Sequence, residues 1–190
     1  REASGAPALP SQNVDFSQGA IRPTGNAFDF AISGNGFFVA RNGDAELLTR
    51  NGQFRVSPQG MLVTASGAPV AGRNGPITLP ADVSTRDLTV SASGELHANG
   101  RRIAVLKVVE VADPRTLHRA GTTLFRPGDE TRLTEPRASE VVHRALESSN
   151  VSTVESMVGM INTARGFEMC QRFLKKQDST EAKTIQAFKA

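Results

Sequence analysis

Between Phe28 and Gly72 short apolar runs alternate with turn signals roughly every 8–10 residues, the spacing of antiparallel strands joined by tight turns. The breaks are Gly34-Asn35-Gly36, Asn42-Gly43, Asn51-Gly52, Pro58-Gln59-Gly60 and Ser66-Gly67. Gly34, Gly36, Gly43, Gly52, Gly60 and Gly67 are expected as turn residues, because tight hairpins need positions that tolerate φ > 0. At Asn51-Gly52 the expectation is a two-residue hairpin that sets the register of Leu47-Leu48 against Phe54–Val56. The runs between the breaks carry Phe37, Phe38 and Val39, then Phe54 and Val56, then Met61 and Val63, and are expected to bury one face and wet the other.

The pattern continues through Leu88–Val90, a turn at Ser93-Gly94, and Glu95–Ala98. After Asn99-Gly100 comes Ile103–Val111, rich in β-branched residues and expected as the central strand. Asp113-Pro114 carries the signature of a helix start and predicts a short helical turn running to about Gly121. Residues 122–145, punctuated by Pro127-Gly128 and Pro136, read as irregular.

From Val151 the period changes. Apolar positions fall at Val151, Val154, Met157, Val158, Ile161, Ala164, Phe167, Cys170 and Leu174, in steps of three and four that predict one face of a helix to about residue 176. Ser152-x-x-Glu155 has the spacing of a capping box, with Asn150 as an alternative cap. Gly159 and Gly166 each cost up to ~1 kcal/mol against Ala in a helix interior, which points to close packing against another backbone. Two arrangements fit the stripe: a helix folded back on its own β domain, or a helix that packs against other helices in an assembly. The narrow seam and the two glycines favour assembly. Residues Val151, Val154, Met157, Val158, Ile161, Ala164, Phe167 and Leu174 are therefore the candidate interface.

The fold class expected is mainly β with a long C-terminal helix, in three parts. Residues 1–27 form an extended connector rich in Ala, Pro, Gly, Ser and Gln, 28–145 a turn-rich antiparallel β domain, and 146–190 a helical assembly segment.

Two blocks of this chain resemble the flagellar hook–basal body proteins, the axial rod and hook subunits of the bacterial flagellum. The first block holds Asp29-Phe30-Ala31-Ile32, Gly34-x-Gly36-Phe37-Phe38, Thr49-Arg50-Asn51-Gly52-x-Phe54, Gly60-Met61-Leu62-Val63 and Gly67-x-Pro69-Val70-x-Gly72. The second holds Leu146-Glu147-Ser148-Ser149-Asn150-Val151, Met157-Val158-x-Met160-Ile161 and Ala164-Arg165-x-Phe167-Glu168-Met169. The Ala-Arg-x-Phe-Glu wording resembles a proximal more than a distal rod protein. The resemblance implies a structural subunit that is exported by the flagellar secretion apparatus, polymerises into the periplasmic rod of the basal body, and transmits torque. It implies neighbours that are further copies and other rod and hook subunits, and a family N-terminal helix expected before Arg1. The alternative reading is a secreted monomeric binding module that takes a peptide or glycan on a β face.

Composition narrows the classes. Apolar residues make up 38% of 190, with 17 glycines and 10 prolines, which suits a turn-rich β domain. The aromatics are ten Phe with no Trp or Tyr, the residues that usually build sugar and base platforms. The net charge of +3 comes without a basic block, so no nucleic acid partner is expected. The run Ile103–Val109 is far short of the ~20 apolar residues of a spanning helix, so no membrane insertion is expected. Gly34-Asn35-Gly36 runs into a strand pattern rather than the helix a phosphate site needs. His97, His118 and His143 lack ligand spacing, and Cys170 has no nearby base. Glu110 and Asp113 are a carboxylate pair of the kind used in acid–base work, but acids flanking a strand end are far more often solvated. No catalytic residue, metal, cofactor or small-molecule substrate is expected.

Overall fold

The computed structural model describes residues 14–43, 45–80, 83, 87–136 and 138–187, and within the helix the side chains of Val154–Phe173 and Lys176. The chain divides into two units, 1–150 and 151–190.

In the first unit the strands are β1 (Ile21–Pro23), β2 (Phe30–Ser33), β3 (Gly36–Asn42), β4 (Ala45–Thr49), β5 (Arg55–Val56), β6 (Leu62–Val63), β7 (Ala71–Gly72) and β8 (Gly75–Pro76). They continue with β9 (Thr89–Val90), β10 (Glu95–Ala98), β11 (Arg101–Val105) and β12 (Val108–Val111). A single 3-10 turn, Pro114–Thr116, precedes β13 (Leu117–Arg119), β14 (Phe125–Pro127), β15 (Leu133–Thr134), β16 (Glu140–His143) and β17 (Ala145–Glu147). The second unit is one helix, α1 (Thr153–Ala187).

The largest sheet has six strands in the order β13-β14-β4-β3-β12-β15. Its centre is β3 rather than the expected Ile103–Val111. That run is cut at Leu106-Lys107 into β11, in a three-stranded sheet β11-β10-β9, and β12, beside β3. The cut is held by the Leu106 N–H on the Gly94 carbonyl (2.8 Å) and the Lys107 N–H on the Ala71 carbonyl (3.0 Å). The strand thus passes from one sheet to the other with its backbone groups paired, as burial requires.

The strand β3 is also buried on both faces, where one wet face is expected from the sequence. Phe38 joins a core with Phe30, Phe54, Leu62, Ile77, Leu88, Leu96 and Leu106. Phe37 and Val39, pointing the other way, join a second core with Leu48, Val109, Val111 and Phe125. The reason lies in the sheet arrangement. One face is covered by the small hairpins built from residues 53–106, the other by the segment around Val14 and Phe16.

Three other expectations change. The 3-10 turn stops at Thr116, and the strand β13 follows instead of a helix to Gly121. The stretch 122–145, expected as irregular, contains β14, β15, β16 and the start of β17. Of the expected connector, residues 1–13 lie outside the described residues. The remainder carries β1, which pairs antiparallel with β17 in the register Ile21 to Glu147.

Among the expected turn glycines, Gly34, Gly43, Gly60 and Gly67 have positive φ. Gly36 and Gly52 do not. Gly36 opens β3 opposite Glu110. The two-residue hairpin expected at Asn51-Gly52 does not form. Asn51 instead accepts the Gln53 N–H with its side chain (3.0 Å), and Gly52 is pressed against the backbone of Phe30. The Phe30 N–H donates to the Gly52 carbonyl (3.1 Å). A Cβ at Gly52 would overlap the Phe30 carbonyl oxygen, so the position needs glycine for close approach rather than for backbone handedness.

Candidate assembly interface

The helix starts where its cap chemistry dictates. The Ser152 hydroxyl accepts the Glu155 N–H (3.3 Å), relieving one orphan donor of the first turn, and the Ser152 carbonyl accepts the Ser156 N–H (3.0 Å) as the first intrahelical bond. Asn150, the alternative cap, is used elsewhere, on the carbonyls of Asp15 and Ser17. At about 1.5 Å per residue, the 35 residues of α1 span about 50 Å. The helix runs eleven residues past the expected end at 176. Beyond Lys176 the sequence is polar, but neither Gly nor Pro interrupts it before Ala187.

Taken by itself, a single helix cannot bury a face, and its large apolar side chains are exposed. Val154 is 72% exposed, Ile161 53% and Phe167 65%; Val151, Met157, Val158 and Ala164 are exposed as well. The Leu174 side chain lies outside the described ones. Met160, Met169 and Phe173 are equally exposed and were not in the expected seam. Their positions explain why. The seam from Ile161 through Ala164 and Phe167 to Cys170 advances in threes, and each step of three turns about 60° back around a 3.6-residue helix. The apolar surface therefore winds around α1, and Met160, Met169 and Phe173 fall on flanks that a single straight face leaves out. At Gly159 and Gly166 a Cβ would meet nothing within 4 Å. The surface ion pair Glu168–Arg172 (3.4 Å) is the i,i+4 kind that adds a few tenths of a kcal/mol.

The β unit gathers its chemistry into structure. His97 lies in β10, His118 in β13 and His143 in β16. His143 stacks on the Phe30 ring (centroids 5.5 Å apart, 17° between planes), and its Nε2 lies 3.0 Å from the Ala27 carbonyl. Burial, joined by the charge of Arg144 and opposed by the Ala27 contact, holds its pKa below the usual 6.5. Glu110 accepts from the Ser139 hydroxyl (2.7 Å), whereas Asp113 caps the 3-10 turn by accepting the Arg115 N–H. That backbone bond, with the Arg115 side chain, holds the Asp113 carboxyl below the ordinary range. The two carboxylates are thus engaged by different partners. Gly34-Asn35-Gly36 leads into β3, with no helix N-terminus behind it. Cys170 is an exposed thiol on α1. Among the described residues no cluster of His, Cys, Asp and Glu is arranged to hold a metal ion, and no helix is long and apolar enough to cross a membrane.

Two families match this architecture at its two ends. Residues 31–98, from β2 through β10, match the flagellar hook protein FlgE/F/G D1 domain. Residues 142–187, from within β16 to the end of α1, match the flagellar basal body rod FlgEFG protein C-terminal region. Among individual relatives, the flagellar basal-body rod protein FlgF of Rhizobium meliloti (strain 1021) is 31% identical over 170 residues, which cover 88% of this chain and 70% of that protein. The protein of the same name from Caulobacter vibrioides is 32% identical over 84% of this chain and 65% of its own length. That from Salmonella typhimurium is 32% identical over 70% and 56%. The comparisons lend no support to a secreted peptide- or glycan-binding module. A β unit built on the D1 pattern, followed by an apolar helix built on the C-terminal pattern, over most of a rod protein's length, makes this chain a member of the flagellar basal-body rod protein family.

Proposed function

We propose that this chain is a structural subunit of the flagellar basal-body rod, exported to the periplasm, where it polymerises with further copies and with neighbouring rod and hook subunits and carries torque. It performs no catalysis. The observation that carries the reading is the exposed apolar surface of α1 in a chain of this family. The interface comprises Val151, Val154, Met157, Val158, Ile161, Ala164, Phe167 and Leu174, with Met160, Met169 and Phe173 on its flanks.

Magnitudes favour an assembly over a simple dimer. Burying the half-exposed to largely exposed side chains of Val151, Val154, Met157, Val158, Ile161 and Phe167 yields about 10 kcal/mol. Association costs about 4–15 kcal/mol in lost translational and rotational freedom. One pairwise contact is therefore marginal. A stripe that winds around the helix offers surface to more than one neighbour, and each further neighbour adds burial for a smaller added entropy cost.

The test is sedimentation of the chain over a range of concentrations, alone and as Ile161→Asp. Weak, concentration-dependent self-association is expected, reduced by the unpaired charge, with the β unit still folded by circular dichroism. In motile cells the same change in the full-length protein is expected to stop assembly at the rod. A monomer at every concentration, together with a β unit unfolded by Ile161→Asp, would mean that the seam closes within the chain and would overturn the proposal.

A further inference from the structure

Arg50 and Glu147, 97 positions apart, form an ion pair largely withdrawn from solvent. Arg50 follows β4 and Glu147 ends β17. Arg50 Nε donates to Glu147 Oε2 (3.0 Å) and Nη2 to Oε1 (3.2 Å), with side chains only 14% and 11% exposed. The remaining guanidinium donors reach the carbonyls of Gly34 (3.0 Å) and Gly36 (3.3 Å), and the cation lies 5.7 Å from the centre of the Phe37 ring. Glu147 Oε1 also accepts the Gly19 N–H (2.8 Å).

Side chains from residues 14–20 and 145–150 extend the junction. Gln18 donates to the Ile32 carbonyl (3.3 Å) and accepts the Gly34 N–H (3.1 Å). Asn150 donates to the carbonyls of Asp15 (3.2 Å) and Ser17 (3.0 Å). The Ser148 N–H donates to the Ala20 carbonyl (2.9 Å), where a Cβ on Gly19 would overlap the Ser148 oxygen. Phe16 meets Phe37 and Phe125 edge-on, at 5.8 and 5.1 Å. The regular ladder here, β1 with β17, is three residues long, and two-stranded pairs of that length are marginal by themselves.

We propose that Arg50, Glu147, Gln18 and Asn150 are positioning residues of a force-carrying clasp, which ties residues 14–20 and 145–150 to each other and to the β3–β4 hairpin. Force arriving along either segment then enters the six-stranded sheet through Arg50, instead of peeling three ladder pairs one after another. Burial is what makes the pair suitable. An exposed bridge contributes almost nothing, whereas separating this one leaves a guanidinium and a carboxylate, each largely withdrawn from solvent, without their opposite charge. The forked guanidinium holds the carboxylate in two places, so the pair resists rotation as well as separation. The polar residues of Thr49-Arg50 and of Glu147–Asn150 thereby acquire a mechanical role. The force-bearing part of the proposal rests on the rod reading; the clasp itself does not.

The test uses the full-length protein as Glu147→Gln and as Asn150→Ala, the second being a surface change with little bearing on folding. In purified Glu147→Gln the Gly19 amide is expected to exchange with solvent about tenfold faster, the ratio for replacing a charge-assisted hydrogen bond by a neutral one. The β3–β4 amides are expected to keep the parent rate. In cells lacking the parent gene, both variants are expected to build basal bodies in near-parental numbers by electron microscopy. Their swimming speed relative to the parent is expected to fall several-fold as viscosity is raised. Unchanged exchange at Gly19 would overturn the clasp. A speed ratio constant at every viscosity, with fewer basal bodies, would assign the pair to folding alone and overturn its mechanical role. Complete basal bodies in the deletion strain would instead refute the rod reading, leaving the exchange result to decide the clasp.

Discussion

Replacing Gly52 by alanine adds a single methyl group, yet the structure gives it a large cost. The added Cβ overlaps the carbonyl oxygen of Phe30 and sits 3.1 Å from Cε2 of Phe38. Neither neighbour can give way, because Phe30 and Phe38 are both fully buried. The 50–54 segment must retreat, which breaks the bond from the Phe30 N–H to the Gly52 carbonyl at a cost of about 1 kcal/mol or more. The retreat also drags Phe54 out of its edge-on contact with Phe38, 5.2 Å between centroids, and such core misfits cost roughly 1–3 kcal/mol. The expected total is roughly 2–4 kcal/mol, a large fraction of a domain's stability. Gly67→Ala is the control. Gly67 has φ +88° with nothing within 4 Å of a Cβ, so only the left-handed penalty of roughly 1–2 kcal/mol applies. Urea unfolding followed by far-ultraviolet circular dichroism gives both values, and amide exchange at Phe30 and Phe54 localises the damage. A loss for Gly52→Ala no greater than for Gly67→Ala would refute the close-approach argument and restore an ordinary turn.

His143 makes stability depend on pH. With the folded pKa below 6.5, the unfolded chain takes up the proton first on acidification. The contribution is therefore fully present above pH 6.5 and is lost as the pH falls from there through the folded value. Denaturation midpoints of the parent are expected to drop across that window, and those of His143→Phe to drop less; parallel curves would contradict this. Lys107 and Glu46 approach to 2.7 Å but remain about a third exposed, so Glu46→Gln is expected to cost under about 1 kcal/mol in urea unfolding, and a clearly larger loss would show a stronger pair. Asn99 has φ +51° in the tight turn joining β10 to β11. Asn99→Val is expected to cost about 1–2 kcal/mol and Asn99→Gly almost nothing, and equal thermal midpoints for the two would argue against strain at this turn.

What the sequence disclosed and what it hid follow from the range of each interaction. Hairpin turns are local, and Asn99-Gly100 or Gly43 is legible because the backbone need is met within two residues. Asn51-Gly52 has the same wording but answers to Phe30, a contact that only the folded chain brings about. The continuous apolar run Phe37–Ala40 signalled burial on both sides, but the surrounding turn spacing suggested a half-wet strand. The break at Leu106-Lys107 carries no Gly or Pro, since it is made by carbonyls of distant segments. Strands such as β14 and β15 are only two or three residues long, too short for a period to register. In α1 the stripe was legible as helical, but its drift appears only when steps of three are followed around the axis. The junction of Arg50 with Glu147 lay beyond any local pattern, though each residue stood inside a recognisable motif.

The pairing of β1 with β17 has a consequence for the order of events in folding. The strand at residues 21–23 precedes the other described strands of the β unit, and its partner at 145–147 is the last of them. A chain that emerges N-terminus first therefore cannot close its ladder, seat the Gly19 amide on Glu147 or neutralise Arg50 until almost the whole unit has appeared. Non-local closure of this kind is slow, because the loop entropy must be overcome before the contacts form. Until then β3 and β4 can form their hairpin, but Arg50 lacks its counter-charge and the Gly19 amide lacks its acceptor. The last few residues before α1 thus close the β1–β17 ladder, and a nascent chain lacks these contacts until they arrive.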